Sequence, residues 1–342
     1  MGTRAKVTNR VIDLTKSHPH LSKLTSFLLN SQILSVNPIY HHLYKTQMKE
    51  IIEKQKAGPM KVIIENTNAC NAHCVFCVHD KLTRKTGFMD FSLFRKIIAD
   101  CANLNVKEVA IFRFGEPLLD PDFSEKVAYA KKAGIELVST NTNASLLTEE
   151  TAIKILDSGL DIIYISLDAN SKEVYERIRK GLNYDIVKKN IKRFIELKNS
   201  RNKEKPIIIL NFCQTDENKN QVKDFIKEWK GHAQMSISNA HDWSGKAKVK
   251  TKNGVFVRRA DPCRLLWTEL VVSWDGKVPL CCIDYDDKMI MGDLKSESIR
   301  EVWSGERLKK NRKIHMDGDF KKIPLCESCT CYFSWWMRDW AE

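Results

Sequence analysis

The sequence predicts an α/β protein, a partial (β/α)6 TIM-like barrel followed by a small cysteine-rich carboxyl-terminal domain. Short β-rich runs alternate with amphipathic helical stretches from Lys61 onward, which is the pattern of a parallel sheet with crossover helices. The six β/α units counted this way are too few to close a full barrel, so one side stays open. Cysteines cluster at the end of the first strand and again beyond residue 260.

Residues 1–57 carry helix-like apolar spacing in Leu21, Leu24 and Leu28 and again in Leu43, Met48, Ile51 and Ile52, broken near Pro19 and Pro38. A helical extension packing on the main domain is expected there, ended by Ala57-Gly58-Pro59. The barrel is expected over 58–238, with strands near 61–65, 108–112, 135–140, 161–166, 206–212 and 234–238. Helices fill 91–104, 122–133, 148–158, 171–180, 184–199 and 218–230, and the last domain takes 239–342. In such sheets ligands gather at the carboxyl ends of the strands.

A chain of 342 residues with 43% hydrophobic content can bury a full core. Its formal charge of +13 comes from lysines spread along the chain, and no helix-turn-helix or aromatic RNA-binding signature accompanies it. Nucleic acid is therefore not an expected partner. Eleven cysteines without a signal peptide or a long apolar stretch point to a reducing cytoplasm and no membrane span. Clustered spacing suits metal sites better than disulfides, which would also leave one thiol over.

The first cluster is Cys70, Cys74 and Cys77, a C-x3-C-x2-C triplet in a loop after an apolar strand. Such thiolates can hold three irons of a cubane and leave the fourth open to a small molecule. After the next strand comes Arg113-Phe114-Gly115-Glu116-Pro117. The triplet, with aromatic Phe76 before its third cysteine, resembles the signature of the radical S-adenosylmethionine (radical SAM) enzymes. The later segment looks like that family's glycine-glycine-glutamate-proline run, with Phe114 at the first glycine. The resemblance implies a [4Fe-4S] cluster coordinated with SAM, contacted by Phe76, Gly115, Glu116 and Pro117.

Two more strands end in polar residues, Thr140-Asn141-Thr142-Asn143 and Ser166-Leu167-Asp168-Ala169. Taken alone, Asp168 and Ser171 read as helix caps. On the edge that carries the cysteine loop, Asn143, Ser166 and Asp168 become expected cofactor contacts. The following helix contains Arg177 and Arg179, and in similar enzymes an arginine here meets the methionine carboxylate. Arg179 fits that place, since a guanidinium grips a carboxylate with two parallel bonds, and Arg177 is expected in solvent.

Cys263, Cys281, Cys326 and Cys329 form a second set, whose chemistry alone fits zinc or a cubane. The spacing C-x12-G-x4-C followed by C-x2-C resembles the SPASM/Twitch extension of radical SAM enzymes, which implies one auxiliary [4Fe-4S] cluster on these four thiols. Trp274 to Cys281 reads as a hairpin turning at Asp275-Gly276. Gly292-Asp293-Leu294 and Ile299 to Trp303 are also in the style of that extension.

Cys282 and Cys331 are then unassigned, and Cys101 and Cys213 are expected in the core. As in similar radical epimerases, Cys282 is a candidate catalytic donor of a hydrogen atom; its bland alternative is a buried apolar side chain. His241, Asp242 and Trp243, before the extension, either hold substrate or shape the junction, and Trp335, Trp336 and Trp340 are expected to pack.

The resemblance implies that Glu116 receives the SAM ammonium, and that reductive cleavage gives methionine and a 5'-deoxyadenosyl radical that removes a hydrogen atom from substrate. An electron donor such as flavodoxin or ferredoxin is implied. Oxidation or epimerisation of a sugar- or aminocyclitol-like molecule is the expected outcome, because the single auxiliary cluster resembles such enzymes of antibiotic pathways. A maturase acting on a ribosomal peptide or protein is the alternative, and a non-catalytic cluster- or zinc-bearing nucleic-acid-binding module a distant one.

Overall fold

The computed structural model describes residues 38–240, 243, 261–327 and 329. Leu21, Leu24, Leu28, His241, Asp242, Cys331, Trp335, Trp336 and Trp340 lie outside the described residues.

A helix at Pro38–Lys54 leads to β1 (Lys61–Ile64), and the cysteine loop follows with a two-residue strand, β2 (His73–Cys74). The barrel continues through β3 (Glu108–Ile111), β4 (Leu137–Thr142), β5 (Ile162–Ser166), a short β6 (Arg179–Lys180), β7 (Ile207–Gln214) and β8 (Gln234–Asn239). Helices at Phe91–Asn103, Phe123–Lys132, Glu149–Asp157, Lys172–Ile178, Tyr184–Ser200 and Val222–Trp229 occupy the expected stretches. Local chemistry starts several of them: Asp90, Thr148 and Asn183 each accept a backbone N–H of the first turn.

The six expected strands are present and parallel, and the sheet has a seventh member. Beyond the barrel, β9 (Glu269–Val272) pairs in parallel with β1, giving the order β8-β7-β5-β4-β3-β1-β9. Nothing in its short sequence distinguishes it from a strand of the extension. The main apolar core lies between sheet and helices, where Val62, Ile64, Val109, Ile111, Leu270 and Val272 meet Phe94, Ile97 and Ile98. On the opposite face Ile63, Ala110 and Val271 form a separate cluster with Phe112 and Cys282 against it.

After β9 come β10 (Lys277–Pro279) and β11 (Ile290–Asp293), an antiparallel pair. The Asp275-Gly276 turn exists, with Gly276 at φ +89°. The expected hairpin is nonetheless divided: β9 pairs with β1 and β10 with β11, while Ser273 N–H to Lys277 O joins the two arms. Among the described residues no helix is long and apolar enough to cross a membrane.

Candidate active site

The cysteine loop is built on backbone groups that its own polar side chains satisfy. Thr67 Oγ1 donates to Gly87 O at 2.8 Å, Asn68 Nδ2 to Lys85 O at 3.0 Å, and Gly87 N–H returns to Asn68 Oδ1 at 2.9 Å. Asn68 and Thr67 are buried, so these bonds are not traded for water. Cys70, Cys74 and Cys77 stand half-buried on this frame. Burial pushes the Cys70 thiol up to about 12 and the Cys77 thiol up to about 11, and raises Cys74, where Arg179 opposes the shift.

Gly115 presses on the same loop. A Cβ there would fall 2.3 Å from Thr67 O and 2.6 Å from Ala69 O, and the next residue's N–H donates to Ala69 O at 2.8 Å. Gly115→Ala is expected to displace the loop, destabilising the fold by about 1–3 kcal/mol through overpacking. Thermal unfolding and iron content measured together check this: unchanged values for both would remove the steric claim.

Glu116 is buried at the head of the next turn. Its carboxylate accepts from Thr142 Oγ1 at 2.5 Å, Asn143 N–H at 2.7 Å and Leu118 N–H at 3.2 Å. Burial raises its pKa and those donors oppose the rise. Asn143 Nδ2 donates to Asn71 Oδ1 at 2.9 Å, tying the end of β4 to the cysteine loop. Pro117 is buried with its carbonyl accepting from Asn66. Ser166 Oγ donates to Asn141 Oδ1 at 3.0 Å.

Asp168 and Ser171 do not cap the following helix, which has no side-chain cap bond. Asp168 is fully buried, and its Oδ2 accepts from Arg179 Nε at 2.7 Å while Oδ1 accepts from Cys213 N–H at 2.7 Å. The helix stops at Ile178, and Arg179 belongs to β6, paired with His73–Cys74. That pairing delivers Arg179 to the cluster loop: its Nη1 lies 3.6 Å from Cys74 Sγ, and its guanidinium stands 5.6 Å from the Phe76 ring centre. Arg177 is exposed, in an ion pair with Glu217. Cys101 is fully buried as expected, whereas Cys213 is half-buried at the end of β7.

The residue at the unusual position, Phe114, is buried and packs 5.4 Å from Trp243 and 6.4 Å from Tyr285. Trp243 Nε1–H reaches Phe76 O at 3.0 Å. Beside them a charged network joins the barrel mouth to the extension. Arg84 grips Glu65 with two bonds of 2.8 Å, and Arg113 donates to Ser273 at 2.7 Å, Asp287 at 2.9 Å and Asp284 O at 2.6 Å. Sequence reading missed this network, whose members are far apart in the chain and carry no spacing signal.

Within the second set, Cys281 lies in electrostatic reach of Cys329 and Cys263. A Cys281 thiolate would be repelled by Cys329 and Cys263, and burial pushes Cys281 up to about 12. Cys263 N–H donates to His315 Nδ1 at 3.2 Å, and His315 Nε2 lies 3.4 Å from Cys326 Sγ. Cys282 is half-buried, its thiol raised well above the ordinary value by burial. His315 is another residue the sequence did not announce; its signal is the buried stripe Leu308, Asn311, His315 on the helix Glu306–Met316.

Both sets fit iron–sulfur chemistry by their donors. Soft thiols desolvated in groups are costly to ionise alone, and bound iron supplies the compensating charge. Among the described residues no three His, Cys, Asp or Glu side chains converge as a single-ion site.

A profile of the radical SAM superfamily matches residues 64–228, and one of the SPASM iron–sulfur cluster-binding domain matches residues 263–330. The tungsten-containing aldehyde ferredoxin oxidoreductase cofactor-modifying protein of Pyrococcus furiosus is 25% identical over 316 residues, 78% of this chain and 86% of that protein. A probable GTP 3',8-cyclase of Methanococcus maripaludis is 35% identical over 132 residues, 38% of this chain and 44% of its own length. Two solved structures share the fold. BtrN in complex with AdoMet and 2-DOIA has a TM-score of 0.56 and 17% identity, covering 80% of this chain and 93% of that one. SuiB of Streptococcus suis bound to precursor peptide SuiA has a TM-score of 0.65 and 16% identity, covering 86% and 76%.

Proposed function

We propose that this chain, which belongs to the radical SAM superfamily and carries a SPASM iron–sulfur cluster-binding domain after its barrel, oxidises or epimerises a small polar molecule of sugar or aminocyclitol type. When bound, the [4Fe-4S] cluster with SAM supplies reductive cleavage and a 5'-deoxyadenosyl radical that takes a hydrogen atom from substrate. Cys70, Cys74 and Cys77 would hold that cluster, and Cys263, Cys281, Cys326 and Cys329 one auxiliary [4Fe-4S] cluster. Residues 58–238 form the catalytic core and 239–342 the auxiliary domain in this reading, set in a cytoplasm that supplies a flavodoxin- or ferredoxin-like electron donor.

The chain's own part is to bind, orient and keep out water. Gly115 lets the loop close, and Glu116, held by three donors, offers its remaining lone pair, on Oε2, to the SAM ammonium. Arg179 is fixed by Asp168 with one nitrogen toward Cys74, so it acts at the cluster ligand as well as on a carboxylate. Phe76, Asn143 and Ser166 shape the rest of the SAM site.

The observation that carries the substrate class is a row of half-buried polar side chains across the sheet face opposite the helices. Asn141, Tyr164, Ser166, Asn211 and Ser236 occupy it in register. Hydroxyl and amide groups suit a molecule with many hydroxyls or amines. Cys282 packs on the same face through Ile63 and Ala110, which supports it as the hydrogen-atom donor. The Pyrococcus relative is named as a cofactor-modifying protein, which is compatible with a small-molecule substrate here.

The test is anaerobic reconstitution, reduction and addition of SAM, with 5'-deoxyadenosine followed by chromatography. Deuterated aminocyclitols and sugars are compared with peptides for label transfer into 5'-deoxyadenosine. Transfer from a peptide alone would replace the small-molecule reading with the maturase one.

A further inference from the structure

We infer that His315 is a positioning residue for the auxiliary cluster, a neutral imidazole whose Nε2–H donates to the sulfur of Cys326. The inference rests on the auxiliary-cluster reading above and adds to it a residue outside the ligand set.

The tautomer follows from one bond. Cys263 N–H can only donate, and it points at His315 Nδ1 across 3.2 Å. A ring nitrogen that accepts carries no proton, which excludes both the imidazolium and the Nδ1–H tautomer. The remaining proton sits on Nε2, 3.4 Å from Cys326 Sγ, a distance suited to an N–H···S bond.

The ring is held for this purpose. His315 is fully buried on the inner face of its helix and meets the Phe320 ring edge-on at 5.1 Å. It therefore bridges two segments of the proposed ligand set, the backbone at Cys263 and the thiol at Cys326, which the sequence separates widely. A hydrogen bond to a ligand sulfur stabilises the more negative, reduced cluster and raises its potential. Its loss lowers the potential, and a tenfold change in the reduction equilibrium is about 59 mV for a one-electron couple.

The experiment compares full-length, reconstituted wild type with His315→Gln, His315→Asn and His315→Leu. Iron is counted, and the midpoint of the EPR signal that does not respond to added SAM is measured. Gln keeps a donor near the Nε2 position, Asn keeps only an acceptor near Nδ1, and Leu keeps neither. The expected result is about eight irons in each folded variant, a wild-type midpoint in Gln, and a tenfold shift toward the oxidised form in Asn and Leu. Should Leu not fold, Asn against Gln carries the comparison. Equal midpoints in Asn, Gln and wild type would overturn the inference. Loss of about four irons in both Gln and Asn would make His315 a ligand and also overturn it. About four irons in the wild type itself would instead remove the auxiliary cluster, a failure of the underlying reading.

Discussion

Cys77→Ala is expected to bring SAM cleavage to background and to remove about four irons per chain, leaving about four in place. The thiol sits in a tight turn, its own N–H donating to Cys74 O at 3.0 Å and its sulfur receiving the His79 N–H at 3.4 Å. Alanine keeps the backbone of that turn and removes one corner of the cluster. The loop frame through Thr67, Asn68 and Gly87 does not depend on the sulfur, so the fold should survive. The retained irons and a thermal transition close to wild type separate loss of a ligand from loss of structure. Undiminished 5'-deoxyadenosine formation in a reduced, SAM-supplied sample would refute the assignment of this loop.

Asp168→Ala carries the largest expected effect on stability. The wild-type carboxylate is fully buried between the Arg179 guanidinium and the Cys213 N–H. Removing it strands a buried positive charge, which costs about 3–5 kcal/mol. It also leaves an N–H unsatisfied, worth about 1–3 kcal/mol more. A drop in the apparent Tm of roughly ten degrees follows, read by thermal unfolding under anaerobic conditions. Asp168→Asn retains an acceptor for Cys213 and should lose less. Equal stability in all three proteins would show that the pair does not hold this end of the barrel together.

Both effects act on parts of the site that differ in how much the sequence discloses. Cys70, Cys74 and Cys77 are legible because their chemistry is local, three thiols within eight residues of loop after an apolar strand. The six barrel strands are legible for a similar reason, since hydrophobic runs and helical spacing alternate without a break. Resemblance places Arg179 near the cofactor, but its capture by β6 and Asp168 is not visible in sequence, because a two-residue strand leaves no periodicity. The division of the expected Asp275-Gly276 hairpin is another tertiary outcome: β9 pairs in parallel with β1 and β10 with β11, partners that no local turn signal names. Arg84, Glu65, Arg113 and Asp287 could not be linked in advance, since buried ion pairs across long separations depend on tertiary structure alone.

Where β9 sits bears on how the protein is made. Strand β1 leads directly into the cysteine loop, yet one of its edges is completed only by residues 269–272. During synthesis the loop and the rest of the barrel emerge first, while β1 still presents unpaired backbone groups on one side. The strand that positions the first three thiols thus acquires its last neighbour only once residues 269–272 have been translated, long after the cysteine loop itself. A chain ending before Glu269 would keep every residue of the proposed SAM site and leave β1 as the exposed, aggregation-prone edge of the sheet. The carboxyl-terminal region is therefore a folding partner of the barrel.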